Sequence, residues 1–222
     1  MKRKTLMIAC KVLKHQIEQL GPIPHDIVYV EQGLHRTPQK LNKELQQVIY
    51  GSKDYDDLLL GYGLCSRSVI GLRPYPHQRM VIPRTDDCIA ISMGLRSRYL
   101  EEFKKNPGTY YFTTGWVEVG DDPYTEYQKT LAKYGQEIAD WTIRGYIKNY
   151  RRAVFINTSP NDTEEAKAYT KNFAKFFNLE YDEMDGSLDF LKKLVFGPWD
   201  EDFVVLTNGQ SPEDEMFQDR CE

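Results

Sequence analysis

Asp57-Leu-Leu-Leu-Gly-Tyr-Gly-Leu-Cys65 and Met80-Val-Ile-Pro-Arg-Thr-Asp-Asp-Cys88 share one plan: a short apolar run, a loop with glycine or proline, then a cysteine. Consecutive apolar residues bounded by turn formers mark a strand buried on both faces, the kind that builds a parallel sheet covered by helices. Two further runs lie upstream. Thr5-Leu-Met-Ile-Ala-Cys10 ends on a cysteine, and Ile27-Val-Tyr-Val-Glu-Gln-Gly-Leu-His35 ends on a histidine.

Helical periods separate these runs. Val12, Leu13, Ile17 and Leu20 share a face, and Gly21-Pro22-Ile23-Pro24 stops that helix. Thr37-Pro38 places an N-cap beside a proline at the first helical position. Leu41, Leu45, Val48 and Ile49 follow at helical spacing up to Gly51. Downstream, Ile91, Leu95, Tyr99 and Phe103 predict a helix over Ile89–Phe103. Asn106-Pro107-Gly108 is a turn, and Thr109-Tyr-Tyr-Phe-Thr-Thr114 is a strand. One long helix is predicted from Pro123 to Lys148, then a strand at Arg152–Asn157. Helices from Thr163 through Phe177 and over Leu188–Val195 precede a last strand at Phe203–Leu206.

The alternation predicts a three-layer α/β fold, with a mostly parallel sheet of six or seven strands and helices on both faces. A metal or ligand crevice is expected at the strand carboxyl ends. With no Ser/Gly-rich linker, residues 1–210 read as a single domain. Gly120-Asp121-Asp122-Pro123 is where a lobe break, near residue 120, would fall. Residues 211–222 are acidic and read as a disordered tail, with Cys221 incidental in it.

A net charge of −4 with scattered basic residues gives no footprint for nucleic acid. The run Leu6 to Cys10 is too short for a signal peptide, and no stretch approaches the roughly 18 apolar residues of a membrane helix. A cytoplasmic protein is expected. Four cysteines in such a chain are better read as thiols or ligands than as a disulfide framework.

In an open α/β sheet the carboxyl ends of the strands converge on one crevice. Cys10, Cys65, Cys88 and His35 are therefore the candidate metal ligands, since thiolates and neutral imidazole suit zinc, and thiolates suit iron–sulfur clusters. The other reading of these cysteines is ordinary packing as small hydrophobes. His15, His25 and His77 read as surface residues. After the buried strand, Gly63 allows close approach of a ligand. A helix starting near Ser66 would turn free N–H groups toward the crevice and lower the Cys65 pKa. Asp87 is a candidate base or ligand orienter, and Asp86 and Asp87 are equally candidates for a helix cap. Arg84 would clamp an anionic substrate or pair with those aspartates. Trp116, closing the aromatic stretch from Tyr110, would wall a cofactor pocket, or the stretch is a packed strand. No Walker or dinucleotide motif is present.

Several segments together carry a family resemblance: Leu60-Gly-Tyr-Gly-Leu-Cys65, Val81-Ile-Pro-Arg-Thr-Asp-Asp-Cys88-Ile89, Pro107-Gly-Thr-Tyr-Tyr111 and Thr114-Gly-Trp116. Gly33-Leu-His35-Arg-Thr-Pro38 and Ile8-Ala-Cys10 add to it. The chain resembles the bacterial and archaeal family of unknown function numbered 1638, over nearly its whole length to about Phe203. Members are often encoded near corrinoid-dependent methyltransferases, so the resemblance implies a methyl-transfer setting, with a small-molecule substrate or a corrinoid methyltransferase system as partner. The family's loop commonly reads Gly-Leu-Cys-Gly-Asn-Gly, whereas Ser66-Arg67-Ser68 follow Cys65 here. The expected activity is zinc-dependent: an open zinc position would hold a thiol as thiolate for attack on a methyl donor such as methyl-corrinoid. A 4Fe-4S cluster with an open iron, and a non-enzymatic corrinoid or metal accessory protein, are the other expectations. The chain has no Asp-x-His-x-x-Gly motif of a corrinoid carrier.

Overall fold

Six residues in a row without a polar face make β1 (Thr5–Cys10) a central strand. It is buried along its whole length in the computed structural model, which describes residues 3–218. A 3-10 turn over Lys11–Leu13 leads into α1 (Lys14–Glu18), then β2 (Asp26–Val30). The helix α2 (Pro38–Gly51) buries Leu41, Leu45 and Ile49, one residue per turn, as their spacing requires. Next come β3 (Asp57–Gly61), β4 (Arg79–Pro83), α3 (Ile89–Met93), α4 (Arg96–Lys105), β5 (Thr109–Phe112) and α5 (Thr114–Val119). The chain continues through α6 (Pro123–Tyr134), α7 (Gln136–Ile147), β6 (Arg152–Asn157), α8 (Glu164–Phe176), β7 (Glu180–Asp185), α9 (Asp189–Phe196) and β8 (Phe203–Leu206).

The fold is α/β with mostly parallel pairing, divided into two sheets. The larger has the order β2-β1-β3-β4-β8, parallel except for β8; the smaller is β5-β6-β7, all parallel. Successive strands move outward from β1 to β2, then return past β1 to β3 and on to β4. The direction of winding therefore reverses between β1 and β3, and crevices in open sheets open at the carboxyl ends beside such a reversal. Cys10 closes β1 there. Gly61, paired with Ala9, closes β3, and a Cβ on Gly61 would stand 2.9 Å from the Ala9 Cβ.

Several expectations need correction. The single helix over Ile89–Phe103 is broken at Gly94, whose φ of +87° reverses the chain before α4. The helix over 123–148 is a hairpin of α6 and α7, broken at Gly135 with φ +83°. Thr114 is not strand: Thr113 accepts the Trp116 N–H at 3.2 Å and caps α5. The edge strand β7 was not expected, because Glu-Tyr-Asp-Glu-Met-Asp has no apolar run to announce it. The change of sheet falls between β4 and β5, ahead of residue 120, and β8 then returns to the first sheet. Residues 211–218, read as disordered tail, are held in place. Pro212 O accepts the Gly71 N–H at 3.0 Å, Asp214 pairs with Arg67 at 2.6 Å, and Phe217 is buried in the main core. Cys221 and the end of that tail lie outside the described residues.

Candidate functional site

Cys10, Cys65 and Cys88 lie within electrostatic reach of one another, with Cys10 at the end of β1 beside the β1–β3 reversal. All three are buried and none is in a disulfide. The loops that carry the last two run side by side: Leu64 N–H donates to Thr85 O and Cys65 N–H to Asp86 O, both at 2.7 Å. Glycine is required at 63 for this contact. A Cβ there would lie 2.5 Å from Thr85 O and within 3.0 Å of the Asp87 backbone. Gly63 therefore acts by absence of a side chain, bringing the two cysteine loops together.

The helix expected near Ser66 is absent. Cys65, Ser66 and Arg67 instead take successive left-handed conformations, with φ of 45°, 56° and 69°. Each costs a non-glycine residue about 1–2 kcal/mol, so the surrounding contacts must hold the turn. With no helix N-terminus beneath it, the Cys65 thiol is not activated, contrary to expectation. Ser66 is exposed, and Arg67 reaches away to Asp214.

Burial dominates the electrostatics. It pushes the Cys10 thiol up to about 12, and the Cys65 and Cys88 thiols well above their usual range. Cys10 raises both Cys65 and Cys88, Cys65 raises Cys88, and the Asp87 carboxylate adds to the effect at both. Tyr62 stands among them, fully buried, its hydroxyl without a partner. Burial raises its pKa, and Cys10, Cys65 and Cys88 raise it further. Thiols raised this far are neutral, and so unreactive, at neutral pH.

His35 is one ring removed. It stacks on Tyr62 at 5.8 Å between centroids, and its Nδ1 lies 2.8 Å from Gln32 O. A carbonyl only accepts, so Nδ1 carries the hydrogen and Nε2 presents a lone pair, which is buried and has no partner. Burial lowers the His35 pKa against the opposing pull of Gln32 O, keeping the ring neutral. This is the tautomer a metal-binding imidazole uses. Among the described residues, no three His, Cys, Asp or Glu side chains are placed to hold a metal ion as they stand.

Asp87 caps α3, with Oδ1 accepting the Ile89 N–H at 2.8 Å and Oδ2 the Tyr99 hydroxyl at 3.0 Å. Burial raises its pKa despite those bonds. Arg84 anchors by its backbone to Asp202 O, and its Nε is buried without a partner. Trp116 lies on α5, packed against both major core clusters. Close approach of α5 to the 11–13 turn depends on Gly115, where a Cβ would meet Val12 O at 2.2 Å. His15 is not a surface residue: its ring is mostly buried, 3.5 Å from Glu118 and 3.7 Å from Asp162. Sequence reasoning missed Tyr62, Gln32 and Thr85, whose buried polar atoms also lack partners. Tyr62 was in view within the glycine loop, but nothing local marks it as central.

The family description "Protein of unknown function (DUF1638)" matches residues 29–195. The chain belongs to the DUF1638 family. That match contains His35, Cys65 and Cys88, while Cys10 precedes it, so the fold rather than the match joins Cys10 to the DUF1638 cysteines. Comparisons with curated proteins and with solved structures give no match. No helix among the described residues is long and apolar enough to cross a membrane.

Proposed function

We propose that this DUF1638 protein binds a metal through Cys10, Cys65 and Cys88, with His35 as the fourth or displaceable donor, and serves methyl-group chemistry. One observation carries the reading: three buried, unpaired thiols from three strand ends, within electrostatic reach of one another at the sheet's switch point. The donor chemistry fits zinc, which takes thiolates and neutral imidazole. When bound with one open position, zinc would hold a substrate thiol as the thiolate. The chain's residues do the rest. The buried crevice excludes water, Gly63 and the Leu64–Thr85 bond hold the two loops in register, and Asp87 fixes the start of α3 beside Cys88. Arg84 offers an unpartnered Nε to an anionic group of the substrate. The methyl-transfer setting, and a corrinoid system as partner, rest on the family resemblance.

A 4Fe-4S cluster is the second reading, since buried thiolates ligate such clusters as readily as zinc. Around a single zinc, bonds of about 2.3 Å hold sulfurs roughly 3.8 Å apart. In a cluster each thiolate binds its own iron.

Anaerobic purification without a histidine tag, followed by metal analysis and a visible spectrum, tests both. Zinc near one per chain, lost in Cys65→Ser/Cys88→Ser, supports the first reading. Iron, sulfide and broad visible absorption support the second. Loaded protein that transfers no methyl group to any thiol would make it an accessory protein; metal-free, colourless protein would return the cysteines to core packing.

A further inference from the structure

The helix α7 carries apolar residues on two sides. Ala139 and Ile143 face inward, closing a small core with Tyr127 of α6. Roughly opposite them around the helix stand Ile138, 47% exposed, and Trp141, 78% exposed. A hollow of about 510 Å³ lies along that outer side, lined by Glu137, Ile138, Asp140, Trp141 and Arg144. Tryptophan and arginine on an open face are the residue types that anchor protein contacts.

The charges on this face select the partner. In the heptad that puts Ile138 at a and Trp141 at d, Glu137 and Arg144 both fall at g, two turns or about 10.5 Å apart. Both are exposed, and neither has an ion-pair partner among the described residues. Asp140, by contrast, already accepts from Tyr127 and Gln136. Turning one helix end for end against its copy brings the same flank of both together. A layer of Ile138 on the second copy's Trp141 then sets Glu137 against the second copy's Arg144, and the two-fold axis repeats both contacts. Parallel helices would set g against e, where Thr142 carries no charge.

We propose that the outer face of α7 docks a second copy of this chain, the two α7 helices packing antiparallel across a two-fold axis. Trp141 leaves on the order of 200 Å² open. Two copies therefore bring about 400 Å² from this ring alone, a third of the roughly 1,200 Å² at which standard interfaces begin. Ile138 and the two charge pairs add to it. A contact this small gives a reversible dimer, with a dissociation constant of about 1–100 µM. The dimer goes beyond the thiol site and forms whether or not the cysteines carry a metal.

Sedimentation velocity of the full chain from about 1 to 200 µM, spanning that constant, tests it. Wild-type protein should pass from monomer to dimer across the range. Trp141→Ser, a change at an open position, should keep the wild-type circular dichroism and stay monomeric throughout. Glu137→Arg and Arg144→Glu should each weaken the dimer about tenfold by setting like charges together, and the two combined should return it to within about threefold of wild type. Wild-type protein that is monomeric at the highest concentration would leave the face to some other occupant and overturn the proposal. So would a dimer that Trp141→Ser leaves intact, single reversals without effect, or a combined reversal that recovers nothing.

Discussion

Replacing Gly63 by alanine tests the reasoning about the cysteine loops most directly. The added Cβ would stand 2.5 Å from Thr85 O, 2.9 Å from Asp87 N and 3.0 Å from Asp87 O. These are backbone atoms held by the loops' own hydrogen bonds, so relief means separating the strands of the site. The bonds Leu64 N–H to Thr85 O and Cys65 N–H to Asp86 O would go, at about 1 kcal/mol each. Forcing a methyl group into a packed site adds about 1–3 kcal/mol. The sum is about 3–5 kcal/mol, lowering Tm by roughly 6–20 °C for a chain of this size. Gly145→Ala is the matched control: it lies within α7 with nothing within 4 Å of the added Cβ, and should stabilise by up to about 1 kcal/mol. Urea unfolding followed by circular dichroism gives both numbers. Native-state thiol titration should show Cys65 and Cys88 reacting in Gly63→Ala and protected in Gly145→Ala. A Gly63→Ala protein within about 0.5 kcal/mol of wild type, with its thiols still protected, would refute the zippered-loop account.

The thiols make stability fall in alkali. Their folded pKa values are raised, so the contribution is whole below the ordinary thiol value of 9.0 and is lost as pH climbs from there toward about 12. For Cys10 alone that is about 4 kcal/mol, readable from urea midpoints in metal-free protein. His35 acts oppositely: with its folded pKa lowered, its share is present above 6.5 and lost as pH falls through the folded value, an acid loss that His35→Phe should remove. Asp57 receives paired hydrogen bonds from both Arg3 and Arg79 at 2.8–3.0 Å. Burial pushes its pKa up, but the guanidiniums outweigh burial and hold it low. Asp57→Asn should therefore cost about 2–3 kcal/mol at pH 7 in chemical denaturation, with the deficit shrinking in acid. Phe112, fully buried against Phe173, Tyr169 and Tyr110, should cost about 3–5 kcal/mol on truncation to alanine, measured the same way.

The parts of the fold legible in the chain were those governed by local burial. β1 and β3 are unbroken apolar runs because both of their faces are covered, and α2 shows its period because one face is buried. β7 was illegible for the converse reason, an edge strand whose polar side chains meet solvent. Gly94 and Gly135 were visible letters, but whether a glycine continues or ends a helix depends on what packs behind it. At Gly94 that is Ser187, whose side chain leaves no room for a Cβ.

At the candidate site, the sequence by itself determined that cysteines follow three buried strands and a histidine a fourth, since each lies within a few residues of its apolar run. Their meeting was a matter of strand order. Only the strand order puts Cys10 within electrostatic reach of Cys65 and Cys88, and strand order is written in contacts between segments far apart in the chain. The same holds for Tyr62 at the centre and for the left-handed turn at 65–67, which no helical or strand period encodes. Local sequence sets which atoms are buried; long-range pairing sets which buried atoms face one another, and that decides the chemistry.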